Sequence, residues 1–221
     1  MRPAGLVAAA AVTALAAAGG ITYAVAEDGG APAHAPAPAA AASASAVPVP
    51  AADSADAGFA RDMAVHHQQA VEMSYIVRDR TRDTEVRRLA YDIAQTQANQ
   101  RGMLLGWLDL WELPKVSAEP PMTWMGMGDA AAGKDGALMP GMATNAQLKK
   151  LGRLSGRQAE IYYLQLMTAH HKGGLHMAQG CVARCTVAAE KRLAQSMVDG
   201  QQSELRLMAG MLKERGATPG S

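Results

Sequence analysis

The chain matches itself when it is displaced by 104 residues. Without a gap, Met63 falls on Met167, His66 on His170, His67 on His171 and Met73 on Met177. Farther along, Arg80 falls on Arg184, Leu89 on Leu193, Ala90 on Ala194, Gln97 on Gln201 and Gly106 on Gly210. Conservative pairs fill in between: Asp56 with Glu160, Phe59 with Tyr163, Ile93 with Met197. A unit of roughly 55 residues is therefore present twice, and the fold must set two copies of one local structure against each other.

Each unit reads as a helical hairpin. In unit one (about 56–113) the spacing predicts a helix from Asp56 to Asp79, a break at "DRTRDT", and a second helix capped by Asp83 or Thr84 that reaches Leu110. Val86, Leu89, Ile93, Leu104, Trp107 and Trp111 hold an apolar stripe along it, and Pro114 ends it. In unit two (about 144–216), "TNAQ" at Thr144 and "SGRQ" at Ser155 have the form of capping boxes, a final helix runs from Val187 to Arg215, and Gly216 is placed to stop it. With 14 Met and a single Phe the core must be aliphatic and rich in thioether, which also favours helices. The expected fold class is all-α: a four-helix ferritin-like bundle built from two duplicated hairpins over residues 53–216.

On a helical wheel Met63, His66, His67 and Met73 share one half of the first helix with Ala60, Ala70, Val71 and Ser74. Met167, His170, His171 and Met177 repeat the arrangement beside Leu164, Gly174, Leu175 and Ala178, so both sets should look into the bundle. Methionines at helical spacing are ordinary core filler, and a buried histidine can be satisfied by one hydrogen bond. Paired imidazoles on an inward face, present twice, are harder to explain by packing and point to a metal. Imidazole with thioether suits monovalent copper or silver, whereas zinc more often recruits thiolate or carboxylate. A di-iron bundle would need Glu-x-x-His motifs, and the sequence holds none. Affinity should fall as the imidazoles take up protons near an ordinary value of ~6.5.

Two other features bear on that chemistry. The connector 114–143 carries Met122, Met125, Met127, Met139 and Met142 in a Gly/Pro-rich stretch, either as further ligands or as an apolar lid folded back with Trp124. Cys181 and Cys185, the only cysteines, stand at i and i+4, within disulfide reach on a helix. A local disulfide is the favoured reading and a copper dithiol the alternative.

Residues 1–26 read as an export signal: an uncharged run from Ala4 to Ala26 ends in the small-x-small sequence Ala24-Val25-Ala26. The alternative is an uncleaved anchor, the one route by which the chain would touch a membrane. Residues 27–52 form a Pro/Ala-rich linker without a hydrophobic period, expected to be disordered. The folded part is thereby expected outside the cytoplasm, secreted or associated with the cell envelope. The 21 basic and 20 acidic residues nearly cancel, which argues against nucleic acid as a partner.

The paired strings "FARDMAVHHQQAVEM" and "YLQLMTAHHKGGLHM", with "QSELRLM" from Gln202 and "MPGM" before the second unit, resemble the bacterial domain-of-unknown-function family 305 over about Asp53 to Arg215. The resemblance implies an exported, ferritin-like helical protein with copper-binding relatives that use methionine and histidine. It carries a ligand role to Met63, His66, His67, Met73, Met167, His170, His171 and Met177. His176, which stands where unit one has Glu72, is a further candidate, and "QANQRGML" against "QQSELRLM" suggests unequal halves. The function expected is copper buffering, resistance or transfer without a catalysed reaction, with a copper-accepting protein or a second copy of the chain as partner. The alternative is a structural or interaction bundle whose histidines only pack.

Overall fold

The computed structural model describes residues 49–128 and 133–219. The export signal or anchor, and the linker up to residue 48, lie outside the described residues. Those described form helices and connecting segments without strands: α1 (Ala55–Arg78), α2 (Thr84–Leu110), a single 3-10 turn (Thr123–Met125), α3 (Asn145–Leu151), α4 (Gly156–Arg184) and α5 (Ala188–Glu214). No described helix is long and apolar enough to cross a membrane.

Local chemistry sets the ends of these helices. Ser54 accepts the Ala57 amide at the start of α1, and Asp83 Oδ1 accepts the Val86 amide at 2.9 Å, which makes Asp83 rather than Thr84 the cap of α2. The capping box at Thr144 is formed in full, but it opens only the short α3. The one expected at Ser155 is absent. Gly156 there has φ of +54°, which turns Ser155 away from the helix, and the Gly156 amide instead donates to the Arg80 carbonyl at 2.7 Å.

α1 packs on α2, α4 packs on α5, and the two hairpins meet through α1 and α4. Asp56 and Glu160 determine the sense of that meeting. Asp56, in the first turn of α1, accepts the Val187 amide at 2.7 Å and the Thr186 amide at 2.8 Å, the two amides that open α5. Glu160, its partner 104 residues on, reaches the corresponding turn of the other hairpin, accepting Thr81 Oγ1 at 2.6 Å and Arg215 Nε at 2.9 Å. The start of each central helix therefore lies beside the far end of the other, and α1 and α4 run antiparallel. Each hairpin supplies the acid that ties down the other's turn.

The apolar core comes in two clusters. One gathers Phe59, Met63, Leu104, Leu108, Trp111, Met177, Cys181 and Met197; the other Met73, Val77, Val86, Leu89, Ile93, Tyr163, Met167, Met208 and Leu212. All five connector methionines pack on the first: Met122 and Met139 are buried in it, and Met125, Met127 and Met142 lie half-buried against it. Trp124 seats the connector edge-on to Phe59 with its indole N–H on Asp62 Oδ2 at 2.9 Å, an oxygen that also accepts the Met122 amide at 2.7 Å. Gly58 leaves room for this, since a Cβ there would stand 2.6 Å from the Trp124 side chain. The connector is an apolar cover, and packing accounts for its methionines.

Replacing Asp56 with Ala removes the acceptor for both amides that open α5, so a loss of ~1–2 kcal/mol is expected, the size of a lost helix cap. Equilibrium denaturation measures it; an unchanged midpoint would mean that water replaces the carboxylate.

Candidate metal centre

On each long helix the interval between the two apolar clusters is filled by buried polar side chains. In α1 it holds His66 and His67, in α4 His170 and His171, in α2 Gln97 and in α5 Gln201. These residues make one polar layer across the core.

His66 and His170 meet where α1 crosses α4, with ring centroids 3.8 Å apart, and His170 Nε2 donates to the His66 carbonyl at 2.9 Å. Equivalent residues in contact lie on the axis relating the two hairpins. The outer pair repeats the symmetry. His67 Nε2 bonds Gln100 Oε1 at 2.9 Å, and His171 Nε2 bonds Glu204 Oε2 at 2.7 Å, each partner 33 residues downstream. Gln100 and Glu204 are not identical and so carry no signal as a repeated residue; what marks them is their position, 104 residues apart and one amide-for-carboxylate exchange different.

These bonds fix the tautomers. A carbonyl and a carboxylate can only accept, and with Gln100 Oε1 as acceptor His67, His170 and His171 all carry their proton on Nε2. On His67 and His170, which burial keeps neutral, the Nδ1 lone pair is left free. All four Nδ1 atoms are buried without a hydrogen-bond partner, as are His66 Nε2 and the Oε1 atoms of Gln97 and Gln201. One of the two His66 nitrogens carries its proton and is a donor, but the remaining unpaired lone pairs, on imidazoles and on two carboxamide oxygens, fit a cation, since buried polar atoms are nearly always paired. Gly174 keeps the layer open: a Cβ there would stand 2.7 Å from Gln201 Oε1 and 3.2 Å from His66 Cε1.

Burial also keeps three of the imidazoles neutral. It pushes His66 down to about 3, helped by His67 and His171 and opposed slightly by the nearby Pro140 carbonyl. His67 is likewise pushed down to about 3, by burial first and His170 next, against the bond to Gln100. His170 lies well below the ordinary imidazole range for the same reason, with His66 and His171 adding to it. Neutral imidazole is the form that ligates.

The thioethers flank the layer. Met63 and Met177 are fully buried in one cluster and Met73 and Met167 in the other, so each side carries one methionine from each hairpin. His176 does not join them. Five residues past His171 it sits about 140° around α4, and it is exposed. Among the described residues no three histidine nitrogens lie within 4.8 Å of one another; the trio that does reach that distance is Cys181, Cys185 and Glu190. Cys181 and Cys185 form the local disulfide, with Cα atoms 4.8 Å apart. Glu190 is fully buried, and burial together with the facing Asp56 carboxylate pushes it up to about 9.

The sequence profile of the family described as Domain of unknown function (DUF305) matches residues 56–212. A DUF305 protein from Streptomyces coelicolor, assigned as secreted, is 74% identical, with 77% of this chain and 99% of that one covered and a TM-score of 0.72. A DUF305 fragment from Deinococcus radiodurans is 29% identical, with 72% and 96% covered and a TM-score of 0.59. CopM in its Cu(I)-bound form is 17% identical over 72% of this chain and 96% of its own, with a TM-score of 0.55, a likeness of fold; Cu(II)-bound and Ag-bound forms of it align too. No curated protein matches.

The depressed imidazoles fix the acid behaviour of the metal-free protein. As pH falls below the unfolded value near ~6.5, the unfolded chain takes up protons that the folded layer refuses, so stability drops between ~6.5 and about 3. At pH 5 the loss relative to pH 7 should be ~2 kcal/mol for each of His66 and His67. Denaturation at both pH values tests this, and a His66→Leu, His67→Leu variant should show a shallower fall. Equal stability of the parent at pH 7 and 5 would contradict a dry, neutral layer.

Proposed function

The chain belongs to the DUF305 family, and with that as premise we propose that it is an exported soft-metal protein. It holds monovalent copper, with silver or zinc as lesser candidates, at His66, His67, His170 and His171 together with Met63, Met73, Met167 and Met177. The observation that carries the reading is the set of four buried Nδ1 atoms without partners, with burial keeping His66, His67 and His170 neutral. Fully buried thioethers on both sides supply soft sulfur. CopM, which shares the fold, is bound to Cu(I), Cu(II) and Ag in its structures, and that supports the same cargo here. The absence of three converging histidine nitrogens favours an ion that accepts mixed imidazole and thioether ligation over a three-histidine zinc site.

In this reading the bundle is ferritin-like and arose by duplication of one hairpin, as the His66–His170 contact and the matched Gln100 and Glu204 bonds suggest. The protein buffers copper outside the cytoplasm or passes it to a copper-accepting partner, and performs no chemistry on it. Gln100 and Glu204 act behind the ligands: each holds an imidazole by Nε2 so that Nδ1 faces the ion.

Anaerobic competition titration of the signal-free protein with monovalent copper against zinc tests the proposal. Copper should win, and replacing either histidine pair with Ala should weaken it by about tenfold or more while helicity survives. Glu204→Leu should cost ~10–100-fold in affinity through loss of orientation alone. Because protons reach His66 and His67 only near about 3, the share of the affinity that those two supply should hold to pH 5 wherever the fold holds, rather than fall through ~6.5 as the sequence suggests. If both double variants titrate like the parent, the histidines only pack.

A further inference from the structure

We propose that Cys181, Cys185 and Glu190 form a second metal site, separate from the histidine layer and closed by the disulfide: once the bridge opens, two thiolates and one carboxylate bind a borderline-soft divalent cation of the zinc class. The trio joins the last turn of α4 to the first turn of α5, and its ligand atoms all lie within 4.8 Å of one another. Cys181 is ten residues past His171, ~15 Å along the helix.

Glu190 points to a ligand rather than to packing. Its side chain is fully buried; no N–H or hydroxyl donates to either carboxyl oxygen, and its one hydrogen bond is the proton it shares with the facing Asp56 carboxyl. A helix-capping role is already taken, because the amides of Thr186 and Val187 donate to Asp56. The internal repeat then shows what packing alone requires at these places. Counting back 104 residues, Cys181, Cys185 and Glu190 correspond to Val77, Thr81 and Val86. Val77 and Val86 are fully buried core residues of the opposite hairpin. All three positions depart from the repeat together, in one hairpin, towards groups that bind zinc, and an acid replaces a valine where valine fills the space.

The chemistry balances as follows. A dithiol reductant attacks the Cys181–Cys185 bond; the S–S bond breaks, the two cysteines take up two electrons and two protons, and the reductant leaves as its own disulfide. The divalent cation then displaces the two thiol protons and the Glu190 proton, with three sulfur and oxygen ligands held and the fourth tetrahedral position left to water. Reoxidation of the thiolates to the disulfide ejects the ion: the two electrons pass to an oxidised dithiol, which takes up two protons from water as it is reduced, and Glu190 takes up one more. Metal load at this site follows the redox state of the compartment.

The test uses the full folded domain, anaerobically, oxidised and after reduction by a phosphine, which consumes water and leaves as the phosphine oxide. Zinc and cobalt(II) are the probes, cobalt reporting thiolate ligation by its charge-transfer absorption. The histidine layer is the same in both samples, so the difference between them reports the second site alone. Reduced protein should take up one further equivalent with thiolate absorption. Glu190→Gln and Glu190→Val, the latter copying Val86, should bind about tenfold or more weakly, and Cys181→Ser, Cys185→Ser not at all. In the unmutated reduced chain, zinc should also protect both thiols from alkylation. The proposal is overturned if reduced and oxidised protein bind alike, if the Glu190 variants bind like the parent, if zinc gives no protection, or if reduction abolishes helicity.

Discussion

Four imidazoles withdrawn from water at one level of the core are the constraint to which the remaining structure answers. Once His66, His67, His170 and His171 are buried, each Nε2–H that is present needs an acceptor, and burial holds His66, His67 and His170 neutral. One acceptor is the backbone of α1 itself, at His66, and the others are side chains of the outer helices, Gln100 and Glu204. The layer thereby ties all four long helices together across the middle, and apolar packing is left to work on either side of it. Gly174 follows from the same constraint, since His66 and Gln201 occupy the space its side chain would take.

Much of this was legible in the sequence, because helical periodicity and an ungapped repeat are local signals. The helix limits, the inward face of the paired histidines and the cap at Thr144 needed nothing beyond spacing. The antiparallel meeting of α1 and α4 could not be read, since it rests on Asp56 and Glu160 crossing to distant turns. The Ser155 cap was misread because a motif cannot show that Gly156 takes a left-handed backbone. His176 was named for its place in the repeat, opposite Glu72, and the structure sets it exposed on the far face of α4, because five residues along a helix turn a side chain away. The connector methionines looked free because a Gly/Pro-rich stretch shows no periodicity, and only the indole anchored on Asp62 reveals why they lie against the core.

The halves are alike in backbone and unequal in charge. Gln100 offers His67 a neutral acceptor, whereas Glu204 offers His171 an anionic one at shorter range. A carboxylate behind an imidazole makes its lone pair more basic than a carboxamide does. Two otherwise matched pairs of imidazoles are therefore graded in donor strength across one axis.

The contact between His66 and His170 has a further consequence for ancestry. Equivalent residues touching across an axis, and paired acids reaching into each other's turns, are the contacts an isologous interface makes between two separate identical chains. The stretch from 114 to 143 fastens together what such an interface would already hold. The layer thus depends first on the meeting of α1 and α4, where those equivalent residues touch.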